Sequence, residues 1–307
     1  MVTPLAARPK RMAVYTTVYP AVAPFLPTWY ASLQSQTDRD FELWVGLDGL
    51  APADVSSLVG VNVEAQWVVA EPGDTPPSLR ARAIDRMVGS CDAILFVDSD
   101  DVMFPTRVTS ARSALERWDV AACALSIVDQ YGAERGIVFG PKGQVDWAEF
   151  LPRYNVFGLS NSAYRAETLR RLPPAARDSV AIDWSLATRA FCAGASMHFD
   201  GLPQMAYRQY DANVAKVVPP FSPSDVTRAT EVVRAHYIAL LDRGVPLPSD
   251  FRLRLDAARE RLEKFRHDVV AQPKRLDRYV VGLNALEPCY VWWWCVANPD
   301  LEAQWKN

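Results

Sequence analysis

Apolar and polar residues are arranged in blocks along the first hundred positions. Met12 to Tyr19, MAVYTTVY, is almost unbroken apolar and β-branched sequence, the pattern of a strand buried on both faces. Prolines 20, 24 and 27 shape a loop and a helix start, and PTWYASLQSQ continues as a short helix. DFELWVGLDG predicts a second strand ending at Asp48-Gly49, and VNVEAQWVVA predicts a third. SLRARAIDRMVGSC carries Leu79, Ala83 and Met87 at helical spacing and feeds a fourth apolar strand, Ala93 to Val97. Continuous apolar strands alternating with helices predict an α/β fold, a mostly parallel sheet flanked by helices. Ligands bind such sheets beyond the carboxyl ends of the strands, where Asp48 and the run from Asp98 to Asp101 fall.

Downstream the pattern changes. DVAACALSIV predicts a further strand, followed by a glycine-containing turn and a loop. NVFGLSNSAY leads into a helical segment around AETLRRL, and SVAIDWSLATRAFCAG reads as a helix with Ile182, Leu186 and Phe191 on one side. After the proline-rich VVPPFSPSD, Val226, Ala229, Val233, Tyr237 and Leu240 mark one amphipathic helix. Leu253, Leu255, Ala258, Leu262, Phe265 and Val269 mark another. This change of character divides the chain into a domain over 1–218 and a helical extension over 219–307. The extension closes on EPCYVWWWCVANPDLEAQW, whose three adjacent tryptophans cannot share one helix face. An acceptor pocket is one role open to them; internal packing or a subunit interface comes first, then a membrane interface, where Trp is favoured.

Composition narrows the class. Of 307 residues half are hydrophobic and 22% charged, an ordinary globular balance. A net charge of −3 without any Lys/Arg block excludes a general nucleic-acid binder. Five scattered cysteines without a CxxC pair read as reduced thiols and give no zinc signature. His198, His236 and His267 lack ligand spacing and read as structural or surface residues. MVTPLAARPKR lacks the apolar core of a signal peptide, and no apolar run spans a bilayer, so a cytoplasmic protein is expected. Basic residues in ARERLEKFRHDVVAQPKRLDR would favour docking at the inner face of a membrane, but interleaved acids weaken that attraction.

The chemistry concentrates in DSDD. Alternate residues of an extended segment point the same way, so Asp98 and Asp100 can face one ligand region. Hard carboxylate oxygens suit Mg2+ or Mn2+, which leave coordination positions for water and phosphate oxygens. The competing reading is a solvated turn that caps the strand, with Asp101 or Ser99 starting the next helix.

Four ordered stretches decide between these readings. TTVYP followed by WYASLQSQTDRDFELWVGLDG, then SLRARAIDRMVGSCDAILFVDSDD, IDWSLATRAFCAG and MAYRQYDANV together resemble the inverting, GT-A-fold glycosyltransferases of family two. The resemblance covers roughly residues 12–215. It implies a nucleotide-binding half over about 12–101, an acceptor-side half over about 102–218, and transfer of a sugar from a nucleotide diphosphate of UDP, GDP or dTDP type. Thr17, Tyr19, Asp48, Arg80, Arg82, Asp98, Ser99 and Arg208 fall at donor-binding positions. Asp98, Asp100 and Asp211 are the implied ligands of Mn2+ or Mg2+, which would neutralise the departing diphosphate. Asp183 matches the general base, with a first-turn helix charge as its alternative role. Trp184, Ser160 and Asn161 are placed toward the acceptor, a saccharide or glycolipid, with core packing or a plain loop as the alternatives. Glycan or glycoconjugate synthesis is the implied setting, and a homo-oligomer is compatible with the tail.

The chain departs from the family pattern in places. Leu47 and Leu50 flank Asp48-Gly49 where a paired aspartate is usual, Ala83 follows Arg82 in place of Asn, and Ile182 replaces the first acid of the acceptor helix. Tyr210 and Asp211 stand where a metal-binding His is frequent. A nucleotidyltransferase on the same fold would need a glycine-rich, lysine-bearing loop after the first strand, and TTVYPAVAPF has none. A degraded module that binds a nucleotide sugar without turnover is the remaining alternative.

Overall fold

The computed structural model describes residues 7–172, 180–211, 213–242 and 245–305. The opening residues weighed as a signal peptide, and Ser179 at the head of the predicted acceptor helix, lie wholly or mostly outside that range.

In chain order the elements are β1 (Met12–Val18), a 3-10 turn (Pro20–Phe25), α1 (Leu26–Gln34), β2 (Glu42–Leu47), α2 (Pro52–Val59), β3 (Gln66–Val69), α3 (Pro76–Ser90) and β4 (Ala93–Phe96). There follow β5 (Val102–Met103), α4 (Arg107–Ala114), β6 (Val120–Val128), β7 (Glu134–Phe139), α5 (Trp147–Phe150), β8 (Ser162–Arg165), α6 (Ala166–Arg171), α7 (Ile182–Cys192) and β9 (Met197–Arg208). The C-terminal part holds α8 (Pro223–Leu241), α9 (Ser249–Phe265) and α10 (Pro273–Ala285). These elements form two compact units, interleaved along the chain. The first comprises Met1–Val138, Phe157–Asp178 and Ala193–Arg208; the second comprises Phe139–Val156, Ser179–Cys192 and Gln209–Asn307. The second therefore draws 139–156, 179–192 and 209–218 from ahead of the 218/219 division read in the sequence.

In the first unit the strands join in the order β3-β2-β1-β4-β8-β6-β9-β5, with β7 on β6. β3, β2, β1 and β4 are mutually parallel, as their unbroken apolar sequences predict. Beyond β4 the sheet is mixed, β8 running antiparallel to both β4 and β6. All seven residues of β1 are buried. Gly46 on β2 is needed for close approach: a Cβ there would lie 2.5 Å from the Tyr15 hydroxyl oxygen. Helix α3 starts on a capping box in which Thr75 Oγ1 accepts from the Ser78 N–H and Ser78 Oγ accepts from the Thr75 N–H. It buries Leu79, Ala83 and Met87, the three positions that predicted it.

Several elements are absent from the sequence reading. Helix α2 buries only Val55, so it shows no periodicity, although parallel β2 and β3 require a crossover. Strand β7, ERGIVF, is mostly exposed and charged, and β9 is interrupted at Gly201 and Pro203, where its register with β6 shifts. On α9 the predicted stripe is corrected: Leu253 is 71% exposed and Phe251 takes its place in the core with Leu255, Ala258, Leu262 and Phe265.

In the second unit the tryptophan run is buried. Trp292 packs on Phe139 at 4.2 Å, Trp293 stacks toward Trp184 at 6.2 Å, and Trp294 faces Phe221 at 6.2 Å. Trp293 has φ of 74°, a left-handed conformation rare for so bulky a residue, and it sends neighbouring rings in different directions. Tyr279 fixes the segment by donating to the Cys295 carbonyl at 3.0 Å and accepting from the Asn298 N–H at 2.9 Å. Of the roles weighed for the tail, internal packing is the one this structure displays. Among the described residues, no helix is long and apolar enough to cross a membrane.

Candidate active site

The parallel register aligns the carboxyl ends of β1, β2 and β4. Val18 pairs with Leu47, the Asp48 N–H donates to the Val18 carbonyl at 3.0 Å, and the Val97 N–H donates to the Tyr15 carbonyl at 3.0 Å. Asp48, Thr17, Tyr19 and the DSDD turn are thereby brought to one edge. Ser99 fastens the turn to β1: its buried hydroxyl donates to the Thr17 carbonyl at 2.8 Å. Thr17 is itself largely buried, its Oγ1 3.2 Å from the Tyr15 hydroxyl. These two side chains shape the edge from beneath, while Asp48, Asp98 and Asp100 are half-buried and Tyr19 is exposed.

Asp101 is the innermost of the three aspartates, only 1% exposed. Its Oδ1 accepts the Arg208 N–H at 2.8 Å and its Oδ2 meets the Ser160 hydroxyl, which also reaches Asp98 Oδ2 at 2.8 Å. Burial pushes the Asp101 carboxyl well above the usual carboxylate range, and the charges of Asp100 and Asp98 push it further. Ser160 has one hydroxyl proton to share between the two carboxyl groups. The reading of Asp101 as a helix-starting turn residue is corrected accordingly: it is a buried tie between DSDD, β9 and Ser160.

The arginines divide. Arg208, 4% exposed, donates from Nε to the Asp100 carbonyl at 2.8 Å and from Nη1 to the Gln130 carbonyl at 2.9 Å, over the ring of Phe25. Its Nε and Nη1 are spent on backbone carbonyls, so it braces the turn from inside. Arg82 donates to the Val69 carbonyl and pairs with Glu71 and Asp74, pinning the turn after β3. Arg80, half-buried on α3, has no hydrogen bond or ion pair among the described residues. Its charge acts on the buried Tyr15 hydroxyl, as does that of Asp98, which places both near the edge.

Among the described residues, no group of three or more His, Cys, Asp or Glu side chains is gathered as a metal-ligand set. The donor chemistry of Asp98 and Asp100 nonetheless fits a hard divalent cation that takes one or two protein carboxylates and completes its shell with phosphate oxygens and water. The pressure of their charges on Asp101 shows that the turn concentrates negative charge. Asp211, the third candidate ligand, is an exposed turn residue of the second unit.

Asp183 lies in the second unit, in the first turn of α7, where the helix dipole favours a carboxylate. From Ala181 to Ala190 it is the one residue that is not buried. Its Oδ2 accepts from Asn155 Nδ2 at 3.0 Å. Trp184 is fully buried: its indole N–H donates to the Leu151 carbonyl at 2.8 Å and its ring stacks on His236 at 3.8 Å. The core reading of Trp184 therefore replaces the sugar-stacking one. Ser160 and Asn161 are likewise turned inward, Asn161 Nδ2 donating to the Cys123 carbonyl at 2.6 Å and its Oδ1 accepting the Gly158 N–H at 2.8 Å. They build the loop under the aspartates instead of presenting groups to an acceptor.

Sequence reasoning missed Asn155, which carries no motif. It missed the tie through Asp101 and Ser160 because that contact spans 59 residues.

A mixed, largely parallel sheet flanked by helices, with an acidic turn at the carboxyl edge, defines the GT-A type of α/β fold. Solved structures share it. The mannosyltransferase PcManGT from Pyrobaculum calidifontis, in complex with GDP-Man and Mn2+, is 17% identical over 93% of this chain and 79% of its own, with a TM-score of 0.54. S. aureus TarS 1–349 in complex with UDP-GlcNAc is 13% identical over 83% of this chain and 72% of its own, with a TM-score of 0.52. Its complex with UDP gives 14%, 97%, 78% and 0.51. No family model matches the sequence, and no curated protein matches it. At these identities the likeness is one of fold.

Proposed function

We propose that this chain is an inverting glycosyltransferase that moves a sugar from a nucleotide diphosphate to an acceptor hydroxyl, on a saccharide or glycolipid. The observation that carries this reading is the gathering of Asp48, Arg80, Asp98 and Asp100 at one carboxyl edge of a GT-A-type sheet. The structural neighbours in complex with GDP-Man, UDP and UDP-GlcNAc support it.

Each group has a chemical task. Asp48 and Tyr19 flank the place of the nucleoside. Arg80 offers the donor a guanidinium for its phosphates. Asp98 and Asp100 would hold Mn2+ or Mg2+, which, when bound, acts as a Lewis acid on the departing diphosphate. Asp101, Ser160 and Arg208 keep the DSDD turn rigid. Asp183 takes the proton from the acceptor hydroxyl, the base that inversion requires.

The test is thermal stabilisation by UDP, GDP, CDP and dTDP, with and without Mn2+, on the parent, Asp100→Ala and Asp211→Ala proteins. A ligand at a hundred times its Kd stabilises the native state by about 2.7 kcal/mol. The expected result is a metal-dependent rise with one nucleotide that Asp100→Ala loses; loss in Asp211→Ala as well would add that residue to the ligand set. No rise with any nucleotide would overturn the reading. A rise without nucleotide release from the matching nucleotide sugar would favour a binding module, which the replaced acid at Ile182 supports.

A further inference from the structure

The tryptophan run has no task in the reaction as described, yet two of its residues touch the surroundings of Asp183. Asn155, which donates to Asp183 Oδ2, is fully buried and forms a two-way backbone bridge with Trp292: its N–H donates to the Trp292 carbonyl at 3.5 Å and its carbonyl accepts the Trp292 N–H at 3.3 Å. Trp184, next to Asp183 in the chain, is anchored to the Leu151 carbonyl and lies nearly parallel to both His236, at 9°, and Trp293, at 15°. The left-handed backbone at Trp293 lets adjacent residues serve both supports.

We propose that Asn155 is a positioning residue for Asp183, and that Trp292 and Trp293 form a clamp that holds Asn155 and Trp184 in register with it; this rests on Asp183 being the general base. A base transfers a proton only within hydrogen-bond reach and in line with the acceptor hydroxyl. A carboxylate at a helix start swings about two torsions unless one oxygen is tied. Asn155 ties it through a neutral donor, which leaves the carboxylate charge in place. The backbone bridge to Trp292 fixes the height of Asn155, and the ring of Trp293 fixes Trp184 and with it the first turn of α7.

The test follows nucleotide release from UDP-GlcNAc, UDP-glucose and GDP-mannose, with water as acceptor where no other is supplied. Asn155→Ala, Trp293→Ala and Trp293→Phe are measured alone and in the Asp183→Asn background. Asn155→Ala is expected to lower kcat by about 10- to 100-fold, the scale of a misplaced catalytic group, with the donor KM unchanged. Trp293→Phe should lose less than Trp293→Ala, and Asn155→Ala should add nothing in the Asp183→Asn background. A parent-like kcat for Asn155→Ala beside an inactive Asp183→Asn would overturn the positioning role alone. An Asp183→Asn protein at the parent rate would remove the base and this inference with it. Near-isosteric Asn155→Asp serves if Asn155→Ala does not fold. Crystal structures add a readout free of turnover: Asp183 should leave its parent rotamer in the Asn155 variants, and an unchanged rotamer would overturn the proposal.

Discussion

At the end of β4 three aspartates stand within four residues, fixed by the Ser99 hydroxyl on β1 and by one inward carboxyl that accepts from a backbone N–H of β9 and the hydroxyl of Ser160. Asp183 lies at the head of α7, where its Oδ2 accepts from a side-chain amide 28 residues earlier in the chain, and the next residue, Trp184, stacks toward Trp293 near the chain's end. The first arrangement crowds like charges and suits a ligand that brings positive charge. The second keeps one carboxylate half-exposed on an apolar bed, which suits a group that must receive a proton. The difference suits the two roles proposed above, holding the donor and activating the acceptor, and it can be tested region by region.

The largest effect is expected from Asp183→Asn. Loss of a general base should lower transfer by about 10²- to 10⁴-fold while the stabilisation by nucleotide and Mn2+ survives intact. If both disappear together, the separation of roles between the two regions is wrong. Next comes Trp293→Ala. Removing a buried tryptophan costs about 3–5 kcal/mol, so urea unfolding should show a matching loss of stability. A loss near zero would mean that the tail does not hold the second unit together.

The two regions also differ in how far the sequence discloses them. The acidic edge announces itself locally: an apolar run, Ala93 to Val97, stops at DSDD, and the same run of letters that forms the strand delivers its acids to the sheet edge. What stayed hidden there is direction. Ser99, Ser160 and Arg208 turn polar atoms to partners far away in the chain, such as the Thr17 carbonyl for Ser99 and the Asp100 carbonyl for Arg208, and Arg82 turns its guanidinium to Val69, Glu71 and Asp74. No spacing rule reports which hydrogen bonds a side chain has already made. In the second unit even the partners are hidden. Asn155 sits in a segment without periodicity, and the fate of three adjacent tryptophans depends on a left-handed residue that only the folded chain displays. The short elements α2 and β7 escaped for a simpler reason: they bury too little to leave a pattern.

A pH measurement sharpens the account of the bed beneath Asp183. His236 is buried against Trp184, and neither ring nitrogen has a hydrogen-bond partner among the described residues. Burial pulls its pKa down to about 3. The unfolded chain therefore takes up a proton near the usual value of about 6.5 while the folded chain refuses it, so stability is complete above that pH and falls as the pH drops toward about 3. At pH 5 the loss amounts to about 2 kcal/mol. His236→Phe keeps an aromatic ring on Trp184 and removes the titration, so its melting temperature should fall less than the parent's between pH 7 and pH 5. Parallel curves for the two proteins would show that His236 is solvated or paired.

The smallest effect bears on the acidic sheet edge, where two arginines two residues apart on α3 part company. Arg82 stands at the spacing that the family resemblance favours, but its guanidinium is held by the Val69 carbonyl, Glu71 and Asp74. The Glu71 N–H and the Ser78 hydroxyl, with Arg82, hold the Asp74 carboxylate below the usual range, so the turn prefers its ionised form. Swinging Arg82 toward a diphosphate would break those contacts. Arg80 needs no such rearrangement, since no bond among the described residues restrains it. Arg80→Ala should weaken binding of the nucleotide diphosphate by about tenfold, the scale of one partly solvated charge-assisted contact. Arg82→Ala should change affinity less and instead speed hydrogen exchange at the Glu71 and Asp74 amides, because the turn loses its pin. The reverse ranking would mean that the donor pulls Arg82 out of its ion pairs on binding, and the turn after β3 would then be a moving part of the donor site.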